Sequence, residues 1–144
     1  MKVAINVCFG GFSLSPEAEL RLYAMGCKAL DVMPVDKYFP PEKREDDSII
    51  GYKRAITEWR AYLAGESVRP MLLTTFSPDE KFVLNGRYIE RNDPMLIQVI
   101  EEMGAAANGA CAELHVVEIP DGTDYEIDEY DGNEHIAEKH RTWR

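Results

Sequence analysis

The sequence lacks any run of about 18 apolar residues, the length that a membrane-spanning helix requires. Its beginning also lacks the basic region and the longer apolar stretch of a secretory signal. We therefore expect no membrane contact and a cytoplasmic location. With 144 residues, 45% of them apolar, the chain is long enough to bury a core of its own. The prediction is one domain over residues 1–144.

Cysteine and histidine are scarce, with three of each. Cys8, Cys27 and Cys111 are odd in number and widely spaced in apolar surroundings, which predicts reduced core thiols rather than disulfides. A catalytic thiol at Cys8 is the alternative. His135 and His140 stand five apart, whereas a helical zinc pair needs a spacing of about four. We predict no metal site and no cofactor.

Lysine and arginine are absent from Glu113 to Glu138, a segment that holds ten acidic residues. The net charge is −10, so this acidic segment carries all of the excess negative charge, and the remainder of the chain has equal numbers of acidic and basic residues. Bulk nucleic-acid binding is disfavoured, because it needs a basic surface. The acidic segment is interpreted as a solvated surface, as a docking surface for a basic protein, or as a source of metal ligands.

The beginning of the chain predicts a strand, a glycine turn and a helix. Apolar residues alternate from Lys2 to Cys8, and Ser15 followed by Pro16 is typical of a helix start. Between them, Phe9 to Phe12 encloses two glycines whose backbone N–H groups are suited to an anion. The turn is neither a Walker loop nor a dinucleotide fingerprint, since both need residues that are missing here.

Helical spacing of apolar residues predicts two principal helices, near residues 48–64 and 94–108. The aromatic stripe from Tyr52 to Leu63 on the first is typical of core packing or an oligomer face. Asp93 is the predicted cap of the second, with Pro94 as its first residue. A shorter helix is predicted from Ser15 to about Met25. Residues 36–48, with two prolines and a charge cluster, are predicted as a variable loop.

Alternation and turn signals predict strands between and after these helices. Asp131-Gly132 is a strong hairpin signal near the end of the chain. The predicted strands cover residues 29–35, 68–76, 81–84, 110–119, 125–130 and 133–139. This order predicts an α+β fold: a single domain with an antiparallel sheet, two principal helices and a C-terminal hairpin.

A second candidate site precedes the helix that Asp93 opens. Arginine forks pair with phosphate, Phe82 and Tyr88 offer rings for a base, and the helix start adds N–H donors. The alternative is that Arg87 and Arg91 neutralise carboxylates such as Glu90 and those of the acidic segment.

We expect the glycine turn and the arginines to meet in one site for an anionic small molecule, most simply a nucleotide. No catalytic residue is predicted, because no clean acid and base pair is present. The predicted ligand-binding residues are Phe9, Gly10, Gly11, Phe12, Phe82, Arg87 and Arg91.

Trp143 lies one residue from the last residue of the sequence, and such a ring is expected to pack against the body or against a second subunit. Together with the aromatic stripe of the first principal helix, it predicts a homodimer or a higher oligomer.

Three segments resemble a family of small, largely uncharacterised proteins encoded by bacteriophages and prophages. They are Cys8–Ser15 (CFGGFSLS), Arg91–Pro120 and Glu129–Trp143 (EYDGNEHIAEKHRTW). The resemblance covers the first fifteen residues and about the last fifty-five. It implies a viral origin and the cytoplasm of an infected bacterium as the place of action, and it brings no established catalytic residues.

Three functions follow as hypotheses. By analogy with small phage anti-defence proteins, the first is a non-enzymatic sponge that sequesters a nucleotide immune signal such as those of Thoeris or CBASS. The second is an acidic inhibitor that binds a basic host protein involved in DNA handling or defence. The third is a small phosphodiesterase-like enzyme. Intact recovery of a bound ligand separates the first from the third, and salt-sensitive protein binding identifies the second.

Overall fold

The computed structural model describes residues 1–43, 51–69 and 73–139. The strands are β1 (Lys2–Asn6), β2 (Asp31–Pro34), β3 (Thr75–Phe76), β4 (Phe82–Asn85), β5 (Leu114–Glu118), β6 (Tyr125–Tyr130) and β7 (Asn133–Glu138). The helices are α1 (Pro16–Ala24), α2 (Val35–Tyr38), α3 (Tyr52–Leu63) and α4 (Pro94–Met103), and short 3₁₀ turns cover Pro41–Lys43 and Gly104–Ala107. The predicted α+β class is confirmed.

The strands form three small antiparallel sheets. β1 pairs with β5, β4 lies between β2 and β3, and β6 pairs with β7 through the predicted turn at Asp131-Gly132. In the first sheet Lys2 stands opposite Glu118 and Asn6 opposite Leu114. The predicted single sheet is therefore divided: β1 and β5 pack against α4, β3 and β4 pack against α1, and the β6–β7 hairpin packs against β1.

Two apolar clusters make the core. The first joins α1 and α4 to β1 and β5 through side chains such as Leu22, Leu96 and Val99. The second joins α2 and α3 to β3 and β4 around Trp59, which is 1% exposed. Leu20 packs against both clusters and so links them. The buried stripes predicted for both principal helices are confirmed at these positions.

Local capping signals are also confirmed. The Ser15 hydroxyl accepts a hydrogen bond from the Ala18 N–H group at 3.1 Å. The Asp93 carboxylate accepts from the N–H groups of Met95 and Leu96 at 2.9 and 3.2 Å. Pro16 and Pro94 follow these caps, where a missing N–H costs nothing. These caps fix the directions of α1 and α4.

Several predicted bounds were wrong. The predicted loop at 36–48 contains most of α2 and a 3₁₀ turn, and residues 44–50 lie outside the described ones, as does Trp143. Of the predicted strand at 68–76, residues 70–72 lie outside the described ones; among those described, Thr75–Phe76 pair with β4, and Val68 is 90% exposed. The strand predicted from 110 begins at Leu114. Leu63, placed on the buried stripe of α3, is 59% exposed.

None of the helices in the described ranges has the length and apolar content of a transmembrane span.

Candidate functional site

The glycine turn packs tightly against protein segments. The Gly10 N–H group donates to the Asp131 carbonyl at 3.0 Å, which joins this turn to the tip of the β6–β7 hairpin. A Cβ added at Gly132 would lie 2.7 Å from the Gly11 Cα, and one at Gly10 would lie 2.6 Å from the Cys111 Cβ. Glycine is therefore required here because two backbone segments cross with no room for a side chain.

A buried amide reinforces this crossing. Asn6 is fully buried, and its Nδ2 donates to the carbonyls of Cys8 and Gly132 at 2.6 and 2.7 Å. Its Oδ1 accepts from the Glu113 N–H group at 2.8 Å. All polar atoms of this side chain are satisfied, so the turn has a fixed position relative to the hairpin.

Arg91 forms a buried ion pair at the same place. Its Nη1 and Nη2 donate to the two oxygens of Glu134 at 2.6 and 2.9 Å. Glu134 is buried and also accepts from the Asn6 N–H group at 2.8 Å. The Arg91 guanidinium lies 3.7 Å from the centre of the Phe12 ring. The interpretation that an arginine neutralises the acidic segment is thus confirmed for Arg91, while its contact with a ligand stays a prediction.

Arg87 has different surroundings. Among the described residues no carboxylate lies within 4.0 Å of its guanidinium, which sits 5.8 Å from the centre of the Tyr88 ring. Tyr88 is 76% exposed. The Arg87 N–H group donates to the Asn85 Oδ1 at 2.9 Å, which holds the turn that presents both side chains. The Arg87 guanidinium is therefore accessible to an anion from solvent.

A wide groove of about 910 Å³ connects these features. Five of the predicted ligand-binding residues line it, namely Gly10, Gly11, Phe12, Arg87 and Arg91. The other two do not: Phe9 is 60% exposed outside the groove, and Phe82 packs against the first apolar cluster. The structure therefore places the glycine turn and both arginines on one concave surface.

Three further residues of the groove were not predicted from the sequence. Arg69 adds a third guanidinium, which forms a long ion pair with a carboxylate oxygen of Glu17 at 3.9 Å. Tyr38 adds a half-exposed ring from the end of α2. Glu19 adds a carboxyl group from α1. No local motif signals them, because they come from segments that only the tertiary fold brings together.

Glu19 lies in the wall of the groove with both oxygens engaged. The Thr75 Oγ1 donates to its Oε1 at 2.7 Å, and the Gly86 N–H group donates to its Oε2 at 2.7 Å. Burial raises the pKa of Glu19 to about 7, and these two hydrogen bonds oppose the shift. Of the described cationic side chains, none forms an ion pair with it. A carboxyl group of this kind in a groove is a candidate functional group.

The described part of the chain contains no cluster of three His, Cys, Asp or Glu side chains arranged to hold a metal ion. The three cysteines are free thiols, with Cys27 buried in the core and Cys8 and Cys111 half-buried. The exposed His115 side chain lies 3.6 Å from Glu113 on the surface of β5.

Comparison with protein-family models, with curated proteins and with solved structures finds no match to this chain.

Proposed function

We propose that the groove binds an anionic small molecule of the nucleotide type and releases it unchanged. The observation that carries this proposal is the open guanidinium of Arg87 beside the exposed Tyr88 ring, in a groove lined also by Arg69. A phosphate takes the guanidinium forks, and a base stacks on an exposed ring. A volume of about 910 Å³ is ample for a nucleotide.

Binding is tested with a thermal-shift panel of linear and cyclic nucleotides, followed by calorimetry on any compound that raises the melting temperature. Arg87→Ala is expected to abolish the shift without lowering the melting temperature of the free protein. Arg54→Ala is the matched control, because Arg54 is an exposed arginine of α3 that pairs with Glu58 away from the groove. The proposal would be contradicted if no nucleotide raised the melting temperature, or if Arg87→Ala and Arg54→Ala reduced the thermal shift equally.

Recovery of the ligand distinguishes a binding protein from an enzyme. After incubation at equimolar concentration and denaturation, chromatography is expected to return the nucleotide intact. Conversion to a hydrolysed product would support the phosphodiesterase hypothesis instead, with the carboxyl of Glu19 as the base to test first.

The role proposed for this binding is that of a sponge. The resemblance to phage and prophage proteins suggests that the chain acts in the cytoplasm of an infected bacterium, where it would sequester a nucleotide immune signal. Expression in bacteria that carry a signal-dependent defence system is expected to restore phage growth, and Arg87→Ala is expected to abolish this effect. Equal phage growth with the wild type and the variant would contradict the role.

The acidic segment supports a second candidate function, inhibition of a basic host protein. On the outer face of the β6–β7 hairpin, Glu126 and Asp128 are exposed. Pull-down from a bacterial lysate at low salt, with a Glu126→Gln/Asp128→Asn variant as control, tests this function. Capture of one basic protein that is lost in the variant and at high salt would favour it over the sponge.

A homodimer or higher oligomer remains part of the proposal. The aromatic side chains of α3 do not support it, since Trp59 is buried inside the chain and Tyr52 and Tyr62 pack against the apolar cluster that contains it. The exposed Leu63 is the remaining apolar candidate on that helix. Light scattering that gives the monomer mass of 16.4 kDa at micromolar concentration would contradict this part.

A further inference from the structure

Glu19 offers a ligand in the groove hydrogen-bond acceptors. Each carboxylate oxygen has two acceptor positions, and the protein uses one position on each: Thr75 on Oε1 and Gly86 on Oε2. One position on each oxygen is left. Two acceptors about 2.2 Å apart, as in any carboxylate, match two adjacent N–H donors on one molecule.

Protonation weakens this pair of acceptors, because the oxygen that carries the proton becomes a donor and a poorer acceptor. When Glu19 is protonated, its O–H group can donate to the Thr75 Oγ1, whose hydroxyl rotates to accept. The Gly86 N–H group still donates to the other oxygen. The ionised form offers stronger acceptors. A ligand edge with adjacent donors is therefore favoured, and an edge that places its own acceptor there is disfavoured.

Resting on the function proposed above, we propose that Glu19 selects nucleotides whose base presents two adjacent N–H donors, as the imino and amino groups of guanine do. The two Glu19 oxygens accept from these two groups. The phosphate is held by the guanidinium groups of Arg69 and Arg87, which line the same groove. Adenine places a ring acceptor where guanine has its imino N–H, so it loses one hydrogen bond and gains a repulsion.

Charge supports this assignment. Among the described residues, the charged groups that line the groove besides Glu19 are Arg69, Arg87, Arg91, Glu129 and Glu134. Glu134 is neutralised by Arg91, whereas none of the described cations pairs with Glu19. A partly buried carboxylate without a cation is poorly stabilised, and two donors from a base would stabilise its ionised form. Guanine binding is therefore expected to strengthen as the pH rises through about 7.

The test compares the dissociation constants of guanosine, inosine and adenosine 5′-monophosphates for the intact protein at pH 8. We expect guanosine monophosphate to bind at least about tenfold more tightly than the other two, because each of them lacks one of the paired donors. Glu19→Gln keeps one acceptor and replaces the other with a donor, so it is expected to lose most of this preference. Glu58→Gln, on α3 outside the groove, is the matched control and is expected to keep it.

The wild type alone gives a second measurement that needs no variant. Its preference for guanosine over adenosine monophosphate is expected to fall several-fold from pH 8 to pH 6, as Glu19 becomes protonated. A residue with a purely structural role would not change this ratio.

The outcomes separate the two proposals. If nucleotides bind without a guanine preference, or if the preference persists in Glu19→Gln or does not vary with pH, the selection by Glu19 is wrong and the binding function stands. If none of the nucleotides binds to the wild type, both proposals are wrong.

Discussion

Arg87 and Arg91 are four positions apart, line the same groove and have opposite surroundings. Arg91 is held by both oxygens of Glu134 and by the Phe12 ring. Arg87 pairs with no carboxylate among the described residues, and its guanidinium lies 5.8 Å from the centre of the Tyr88 ring. The difference shows that the position of a carboxylate partner, rather than the residue type, decides whether an arginine stabilises the fold or is available to an anion.

The largest expected effect is the loss of stability when Arg91 is replaced. Arg91→Ala leaves the buried Glu134 carboxylate without its cation and is expected to lower the free energy of unfolding by about 3–5 kcal/mol. Urea denaturation measures it. Arg87→Ala is the matched change and is expected to stay within about 0.5 kcal/mol of the wild type. Equal stability of both variants would contradict the distinction between the two arginines.

The free energy of unfolding is expected to be nearly as sensitive to a substitution where the glycine turn crosses the tip of the β6–β7 hairpin. Gly132→Ala places a Cβ against Gly11 and strains a backbone with φ of +86°, so a loss of about 2–4 kcal/mol in unfolding free energy is expected. Gly122→Ala has a similar φ of +79° but open space around it. A loss of about 1 kcal/mol is expected there. Similar losses by thermal or urea unfolding would mean that the close approach is unimportant.

Replacing Arg87 is expected to weaken ligand binding without changing the stability of the fold. Arg87→Ala is expected to weaken nucleotide binding by about 1.5–3 kcal/mol if Arg87 makes a charge-assisted hydrogen bond to phosphate. Calorimetry measures it, with Arg54→Ala as the control. Arg87→Lys is expected to recover only part of the affinity, since an ammonium group lacks the planar fork. Full recovery would indicate a simple charge effect.

The smallest effect concerns Glu19 and pH. Its pKa is near 7 in the folded protein against 4.5 in the unfolded chain, so the folded state binds more protons between these values. The contribution of Glu19 to unfolding free energy is therefore expected to fall as the pH rises from about 4.5 to 7, by about 1–2 kcal/mol. Urea denaturation at several pH values measures it, and Glu19→Gln is expected to remove this part of the slope. An unchanged slope in the variant would contradict the assignment.

Features that depend on neighbouring residues could be predicted from the sequence. The caps at Ser15 and Asp93, the buried face of α4 and the hairpin at Asp131-Gly132 need only local spacing and turn chemistry. The strand predicted from residue 68 is shorter among the described residues for the converse reason. Strand formation needs a partner strand, and of the described residues in that range only Thr75 and Phe76 pair with β4.

The candidate site could be predicted in part. The glycine turn and the arginines do share a groove, but the sequence does not show that the turn itself is occupied by the hairpin tip. The pairing of Arg91 with Glu134 joins positions 43 residues apart, and that of Glu19 with Gly86 joins positions 67 apart. Contacts at such separations depend on tertiary packing, and no spacing rule in a single sequence specifies them.

The pairing of Lys2 with Glu118 has a consequence for how the chain folds. β1 is synthesised before the other described strands, yet its partner among them in its sheet is β5. Closing so long a loop is entropically unfavourable, and folding that depends on such distant contacts is slow. In the nascent chain β1 therefore lacks its partner strand until β5 has been synthesised, and during that interval its apolar side chains Val3, Ala4 and Ile5 are incompletely covered and open to chaperones and to aggregation.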